Sequence, residues 1–238
     1  MFVIPMLGFS SRFFKAGYNV PKYRLPLNRG STIFEEVLSS FREYFETDHF
    51  RIICRKDFMD KNFITHKLKK LGISDFEVIE FEQNTRGQAE SVMLALKDTD
   101  MKEELYIFNI DTILLNFEKM DKSGSCDGYL EVFEGEGEHW SFVQPKSGTL
   151  SEVERVTEKE RISNLCSNGL YYFKTVDMYQ ELINEELKQV SIDMEIYVAP
   201  LYNRLISNNA NVKYKIVKAD AHQFCGTPDE YEKLMAES

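Results

Sequence analysis

Between residues 7 and 22 the chain gathers the residue types that hold a polyphosphate. Leu7-Gly8-Phe9-Ser10-Ser11-Arg12-Phe13 is followed by Pro21-Lys22. Small residues let a backbone approach a ligand closely, and successive N–H groups can form an anion-binding nest. Arg12 and Lys22 can neutralise phosphate oxygens. The segment is neither a Gly-x-x-x-x-Gly-Lys-Ser/Thr loop nor a Gly-x-Gly-x-x-Gly dinucleotide loop, and a plain Gly/Ser/Pro surface loop is the competing reading. Charge distribution favours the phosphate. The chain carries a formal net charge of −10, yet residues 1–30 hold Arg12, Lys15, Lys22, Arg24 and Arg29 and no acidic residue. A basic island of this size suits a small polyphosphate, whereas the acidic remainder argues against a nucleic-acid groove.

Asp111 closes the apolar run Leu105-Tyr106-Ile107-Phe108-Asn109-Ile110. An unpaired carboxylate buried there would be costly, and a divalent cation would compensate it. A strand-end Asp capping a turn is the bland alternative. Asn109, two residues earlier, shares its side of an extended strand and can help position water or ligand. Glu158-Lys159 could meet an acceptor, the lysine binding a phosphate and the glutamate accepting hydrogen bonds, but taken alone the pair reads as ordinary surface. The four histidines have packing or surface roles. Cys54, Cys126, Cys166 and Cys225 lack metal-ligand spacing and read as free thiols.

The elements that must place these residues alternate. Phe2-Val3-Ile4-Pro5-Met6 is strand-like from the first residues and lacks a secretory pattern. Thr32 and Glu35 have capping-box spacing, opening a helix whose apolar face is Ile33, Val37, Phe41 and Phe45. The pattern predicts strands at 50–54, 76–81 and 105–111 and helices at 57–71, stopping at Gly72, and at 88–96. Short strands at 128–133, 139–143, 152–156 and 170–173 follow, then helices at 176–188 and 193–206 and a strand at 212–217. With 238 residues and 43% apolar content, one domain is the simplest organisation. The expected fold is α/β, a Rossmann-like mixed sheet flanked by helices with a smaller strand-rich acceptor subdomain. The nucleotide-binding half is expected over about 1–120 and the acceptor-binding part over about 121–238. Ligands of such sheets bind beyond the C-terminal strand ends. No stretch is long and apolar enough for a membrane helix, so the expected location is cytoplasmic, with no membrane or nucleic-acid partner.

In this order and separation the pieces resemble the nucleotidyltransferase superfamily that includes the sugar-phosphate nucleotidyltransferases, and more closely its small capsule-biosynthesis members. The match spans nearly the whole chain: Leu7-Gly8-Phe9-Ser10-Ser11-Arg12 with Pro21-Lys22, Thr85-Arg86-Gly87-Gln88-Ala89-Glu90, Phe108-Asn109-Ile110-Asp111, Val156-Thr157-Glu158-Lys159, Ser167-Asn168-Gly169-Leu170-Tyr171-Tyr172-Phe173, and Gly226-Thr227-Pro228-Asp229-Glu230-Tyr231. The resemblance implies a GT-A-like nucleotidyltransferase fold. It implies that Arg12 and Lys22 bind the triphosphate and that Leu7, Gly8, Ser10 and Ser11 contact the nucleotide. Gln83 and Gly87 would hold base or ribose, Asp111 would bind Mg²⁺, and Glu158, Lys159, Asn168 and Gly169 would face the acceptor.

Two departures matter. The family's opening Gly-x-Gly-x-Arg keeps one glycine here, with Ser10 in place of the other. Many relatives also carry a second metal-binding aspartate two residues before the final Gly-Thr-Pro, and that position is Phe224. Asp220 compensates if its loop folds back; a site of Asp111 with phosphate oxygens around Mg²⁺ is equally open. The implied reaction joins a nucleoside monophosphate from an NTP to a phosphorylated small molecule and releases pyrophosphate. CTP is favoured slightly over UTP or dTTP, with a sugar 1-phosphate or a capsule precursor such as phosphorylated glutamine as acceptor. A glycosyltransferase of related architecture would need paired acidic metal ligands, where Asn109-Ile110-Asp111 offers one. A non-catalytic nucleotide-binding domain is the second alternative, and Phe224 keeps it in play. The sequence does not determine the oligomeric state.

Overall fold

The computed structural model describes residues 1–28, 30–121 and 125–237. Arg29, the last member of the basic island, lies outside them. In chain order the elements are β1 (Phe2–Met6), α1 (Ser11–Lys15), α2 (Ile33–Ser39), β2 (Phe50–Arg55), α3 (Lys61–Leu71), β3 (Phe76–Phe81), α4 (Gln88–Ala95), β4 (Leu105–Phe108), β5 (Thr112–Leu114), β6 (Gly128–Glu134), β7 (Ser141–Pro145), β8 (Val153–Glu158), β9 (Leu165–Phe173), α5 (Val176–Gln189), α6 (Tyr202–Ser207), β10 (Val212–Ile216), β11 (His222–Phe224) and α7 (Pro228–Glu237). The fold is α/β, with mixed sheet and flanking helices. Two compact units partition the chain: one contains Phe2–Asn84, Asn109–Glu118 and the residues from Asp220 onward, the other Met1, Thr85–Phe108 and Lys119–Ala219.

In the N-terminal unit β1, β2 and β3 pair in parallel, Phe2 opposite Phe50 and Phe50 opposite Phe76. Parallel strands covered on both faces read as continuous apolar runs, and every residue of β2 is buried. The Thr32–Glu35 capping box forms as its spacing predicts. Glu35 also holds a second helix, because Lys67 and Lys70 of α3 donate to its carboxylate at 2.8 and 2.9 Å. Burial opposes ionisation of Glu35, but hydrogen bonds from Lys67, Lys70 and Thr32 outweigh it and hold the group down at about 2.

Two helices of the N-terminal unit are shorter than their patterns predict. The helix expected to run through Phe45 ends at Ser39, and a 3₁₀ turn covers Arg42–Tyr44. Ser40 Oγ accepts from the Leu114 N–H at 2.9 Å, which ties the helix end to β5, while Phe41 still packs 4.5 Å from the ring of Phe2. The helix expected from residue 57 starts at Lys61, since Met59 takes a left-handed conformation at φ 50°. The expected stop at Gly72 is present, with φ 87°.

In the strand-rich unit β9 lies between β4 and β6, antiparallel to both, while β10 runs parallel to β6. β7 and β8 form an antiparallel pair, with β7 also bridged to β9. β9 is longer than the predicted 170–173, and all nine of its residues are buried. The predicted helix over 193–206 contracts to α6, preceded by a 3₁₀ turn at Ala199–Leu201. Pro200 sits in that turn, and Ile196 has its backbone engaged elsewhere: its N–H donates to Arg86 O and its carbonyl accepts from Ala89 N. All four cysteines are free and buried. Among the described residues no helix is long and apolar enough to cross a membrane.

Candidate active site

In the N-terminal unit β1 delivers the loop to a left-handed turn. Ser10 has φ 52° and ψ 30°, a conformation uncommon for a residue with a Cβ. Its hydroxyl does not cap α1; it accepts instead from the Lys22 N–H at 3.1 Å. Leu7 is half-buried and Gly8 exposed, and a Cβ placed on Gly8 would meet nothing within 4 Å. Open space therefore lies beside this stretch of backbone. Ser11 and Arg12 open α1 on the surface.

Lys22 and Asp111, 89 residues apart, form an ion pair at 3.0 Å, with side chains 17% and 35% exposed. Asp111 does not end a strand as its pattern predicts. β4 stops at Phe108, and Asp111 occupies the turn before β5. That turn is pinned from below: Cys225 N donates to Asp111 O at 2.8 Å, and a Cβ on Gly226 would fall 3.1 Å from Asp111 Cβ and 3.2 Å from its Oδ2. A glycine leaves the backbone room beside the carboxylate, where a Cβ would make a tight contact. Thr227 and Glu230 then cap α7, the Gly226 and Thr227 N–H groups both donating to Glu230 Oε2 at 2.8 and 2.9 Å. Burial, with Asp111 adding to it, pushes the Cys225 thiol well up, so it is an inert wall.

The ladder between β5 and β11 places the two residues on which a second metal ligand depended. Phe224 stands opposite Thr112, next to Asp111, whereas His222 faces Leu114 and the Ala221 carbonyl accepts from Leu115 N. Asp220 thus lies beyond the far end of that ladder, in the 3₁₀ turn Ala219–Ala221 that leads into β11, whereas Asp111 adjoins its near end. The structure brings Lys22 to Asp111 and does not bring Asp220 there. Among the described residues no three His, Cys, Asp or Glu side chains gather as a metal site. Gln83 is exposed, and its neighbour Asn84 accepts from buried Arg55 at 3.0 Å. Arg55 in turn lies 3.9 Å from the ring centre of half-exposed Phe9.

The strand-rich unit carries the other predicted residues. Gly87 has φ 114°, and a Cβ there would strike Ile196 O at 2.7 Å and Glu195 Cγ at 2.9 Å. Glu158, 16% exposed in its side chain, accepts from Ser141 Oγ and lies 3.8 Å from Lys159 Nζ. Burial pushes the Glu158 carboxyl up, only partly offset by Ser141 and Lys159. Lys159 sits at φ 55° and donates from Nζ to the Tyr197 hydroxyl at 2.7 Å. Tyr197 then donates to Glu195, and the tyrosine bond raises the lysine further into its charged range. Tyr197 and Glu195 escaped the sequence reading because nothing local links them to residue 159.

Asn168 is 2% exposed and donates to Glu131 Oε1 at 2.8 Å, while Lys215 pairs with the other oxygen at 3.1 Å. Gly169, at φ 91°, follows it within β9, whose pairing with β6 shifts register between Leu130 and Val132. The Asn168 side chain is therefore part of a buried network.

The fold is that of the nucleotidyltransferases, and solved structures bear this out. The nucleoside-diphosphate-sugar pyrophosphorylase from Vibrio cholerae RC9 is 42% identical, with a TM-score of 0.94 over 99% of this chain and 100% of its own. The chain belongs to the nucleotidyltransferase superfamily. More distant likeness in fold extends to the inositol-1-phosphate CTP transferase from T. maritima (15% identity, TM-score 0.76, 99% and 94% covered). It extends equally to a putative glucose-1-phosphate thymidylyltransferase from Bacillus anthracis (16%, TM-score 0.76, the same coverage). No protein-family model and no curated protein matches the chain.

Proposed function

We propose that the protein transfers a nucleoside monophosphate from an NTP to a phosphorylated small molecule and releases pyrophosphate. The observation that carries this reading is the Lys22–Asp111 pair set against the Ser10 turn. It puts a cation and a hard oxygen ligand beside open backbone. Arg12 and Lys22 are assigned to the triphosphate, with Leu7, Gly8, Ser10, Ser11, Gln83 and Gly87 along the nucleoside. Glu158, Lys159, Asn168 and Gly169 are assigned to the acceptor.

The residues present fit Mg²⁺. Asp111 offers one carboxylate, partly exposed, and Mg²⁺ is commonly held by one or two carboxylates with substrate phosphates and water completing its shell. When bound, the ion would polarise phosphate oxygens and neutralise charge on the departing pyrophosphate. The chain's own contribution is positional and electrostatic. Lys22 and Arg12 hold oxygens whose charge grows during transfer. An acceptor phosphate dianion is already nucleophilic, so no side-chain base is needed to create the attacking oxygen. Lys159, kept charged by Tyr197, attracts the acceptor's anionic group, while Glu158 accepts its hydroxyl or amine hydrogens.

The acceptor is proposed to be a sugar 1-phosphate, in keeping with the 42% identical Vibrio cholerae protein, or a capsule-modification precursor such as phosphorylated glutamine. CTP is placed ahead of UTP and dTTP on resemblance to the small capsule-biosynthesis members, and a cytoplasmic setting follows from those substrates. The test is a matrix of NTPs against phosphorylated acceptors, followed by pyrophosphate release and product mass. One productive pair establishes the reaction; transfer from an NDP-sugar without pyrophosphate, or no turnover with any pair, overturns it.

A further inference from the structure

Asp60 immediately precedes α3, where an aspartate ordinarily accepts from first-turn N–H groups and stabilises the helix by ~1 kcal/mol. Here its side chain makes no cap bond. It is also 1% exposed, and a carboxylate is costly to bury unless it is paired and hydrogen-bonded. Both oxygens are committed to one short segment: the Tyr23 hydroxyl donates to Oδ2 at 2.6 Å and Arg24 Nη1 donates to Oδ1 at 2.8 Å. Tyr23 is itself 1% exposed. The Arg24 guanidinium lies 4.8 Å over the ring of Phe63 in α3, which fixes the direction of its fork.

Lys22 is the adjoining residue. Lys22, Tyr23 and Arg24 make a single 3₁₀ turn, too short to be stiff by itself. That turn is held at one end by Ser10 Oγ on the Lys22 N–H at 3.1 Å, and at the other by Asp60. Between these two fixings the Lys22 ammonium projects to Asp111 at 3.0 Å.

We infer that Asp60 is a positioning residue for nucleotide binding, acting through Tyr23 and Arg24 to set the turn from which Lys22 meets the phosphates. This rests on the proposed role of Lys22. The geometric demand is strict, since a misplacement of about 1 Å can cost up to ~100-fold. Asp60 touches neither Lys22 nor the site, so its influence passes through the turn alone.

The test is a double-mutant cycle on the full-length chain. Asp60→Asn, Tyr23→Phe and Arg24→Met are each made in the parent and in Lys22→Ala. The Kd of the folded protein for CTP in Mg²⁺ is measured by calorimetry, with UTP and dTTP in parallel and the tightest of the three taken as the probe; thermal transitions are recorded beside it. In the parent, Asp60→Asn is expected to weaken binding about tenfold and Tyr23→Phe about threefold, the scale of one lost hydrogen bond to a charged group or less. In Lys22→Ala the same changes are expected to weaken it by less than about 1.5-fold. A merely structural role lowers the thermal transition in both backgrounds and leaves the Kd of the folded fraction alone. Parental affinity in folded Asp60→Asn, or equal losses in both backgrounds, overturns the inference. If Asp60→Asn does not fold, Tyr23→Phe and Arg24→Met decide by the same criterion. Should the parent bind none of the three nucleotides, or Lys22→Ala bind like the parent, the functional reading falls and this inference with it; additivity beside a weakened Lys22→Ala removes the positioning role alone.

Discussion

Two charged clusters of this molecule, around Lys22 and around Lys159, are built on opposite plans. Around Lys22 cations dominate: Arg12 and Lys15 precede it in an acid-free stretch, and Asp111 is the carboxylate paired with it, Arg24 being held by Asp60. Around Lys159 the balance reverses, with Glu158 within 3.8 Å and Glu195 behind Tyr197. A surplus of cations on open backbone suits a polyanion. One ammonium among carboxylates and a phenol suits a smaller ligand that carries one anionic group and several hydrogen-bond donors. If the proposed division of labour rests on this local charge balance, substitutions in the two clusters should separate it.

The largest effect is expected from Asp111→Asn, which keeps the shape and removes the charge. Pyrophosphate formation should fall by ~100-fold or more, the scale of an electrostatic group lost from a transition-state site, and initial rates across a Mg²⁺ titration should show partial recovery at high Mg²⁺. Parental turnover with parental Mg²⁺ dependence would remove Asp111 from the mechanism. Asp220→Asn, placed beyond the far end of the β5–β11 ladder, should be nearly silent in the same titration. Next come Lys22→Ala and Arg12→Ala. Each should cost roughly 1.5–3 kcal/mol of transition-state stabilisation without lowering the thermal transition; rates within about twofold of the parent for both would break the phosphate assignment.

Glu158→Ala and Lys159→Ala should raise the acceptor KM, by about tenfold as for one lost charge-assisted contact, and leave NTP affinity unchanged. Because burial raises the Glu158 carboxyl, its protonation begins at higher pH than for an exposed glutamate. Acceptor binding should therefore weaken as pH falls into that raised range, and Glu158→Gln should lose the dependence. A pH-independent acceptor KM in the parent would show that the ionised carboxylate is not what the acceptor meets.

The smallest effect on rate, and so the control for the comparison, is Glu35→Gln. Glu35 is held at about 2 against an ordinary 4.5. A carboxylate whose folded value is depressed contributes its full stability above about pH 5 and loses it as pH falls from about 4.5 to about 2, a contribution on the order of 3 kcal/mol. Acid unfolding of Glu35→Gln should flatten over that window, and turnover of the folded variant at neutral pH should stay near parental. A comparable loss of turnover would mean that charge clusters in the N-terminal unit disturb the loop indiscriminately.

What the sequence made legible was local. Thr32-x-x-Glu35 announces its capping box, Gly72 its helix stop, and the acid-free first thirty residues their cationic surface. Lys22 and Asp111 could each be singled out by type and setting, though not their pairing. The rest depends on contacts between distant residues. Asp60 reads as a helix cap, and only the fold reveals that Tyr23 and Arg24 have taken its carboxylate. Tyr197 lies 38 residues from the lysine it contacts, inside a stretch whose pattern argues for a helix until Ile196 gives its backbone to Arg86 and Ala89. Gly226 looks like the start of a cap; the tight fit a side chain would meet there comes from Asp111, 115 positions earlier.

The pair between Lys22 and Asp111 has a further consequence for the sequence of events in a catalytic cycle. Before any nucleotide arrives the carboxylate already has a resident counterion, tethered to the same loop that is proposed to receive the phosphates. A bare divalent cation must compete with that tethered ammonium, whereas a nucleotide bringing its own cation offers Lys22 a phosphate in exchange for the carboxylate it gives up. Nucleotide and metal should thus enter together as one complex, with the lysine changing partners as they dock. Under the proposed roles of Lys22 and Asp111, that exchange would keep the resting protein from collecting adventitious metal, and the swap itself would be the moment of commitment to substrate.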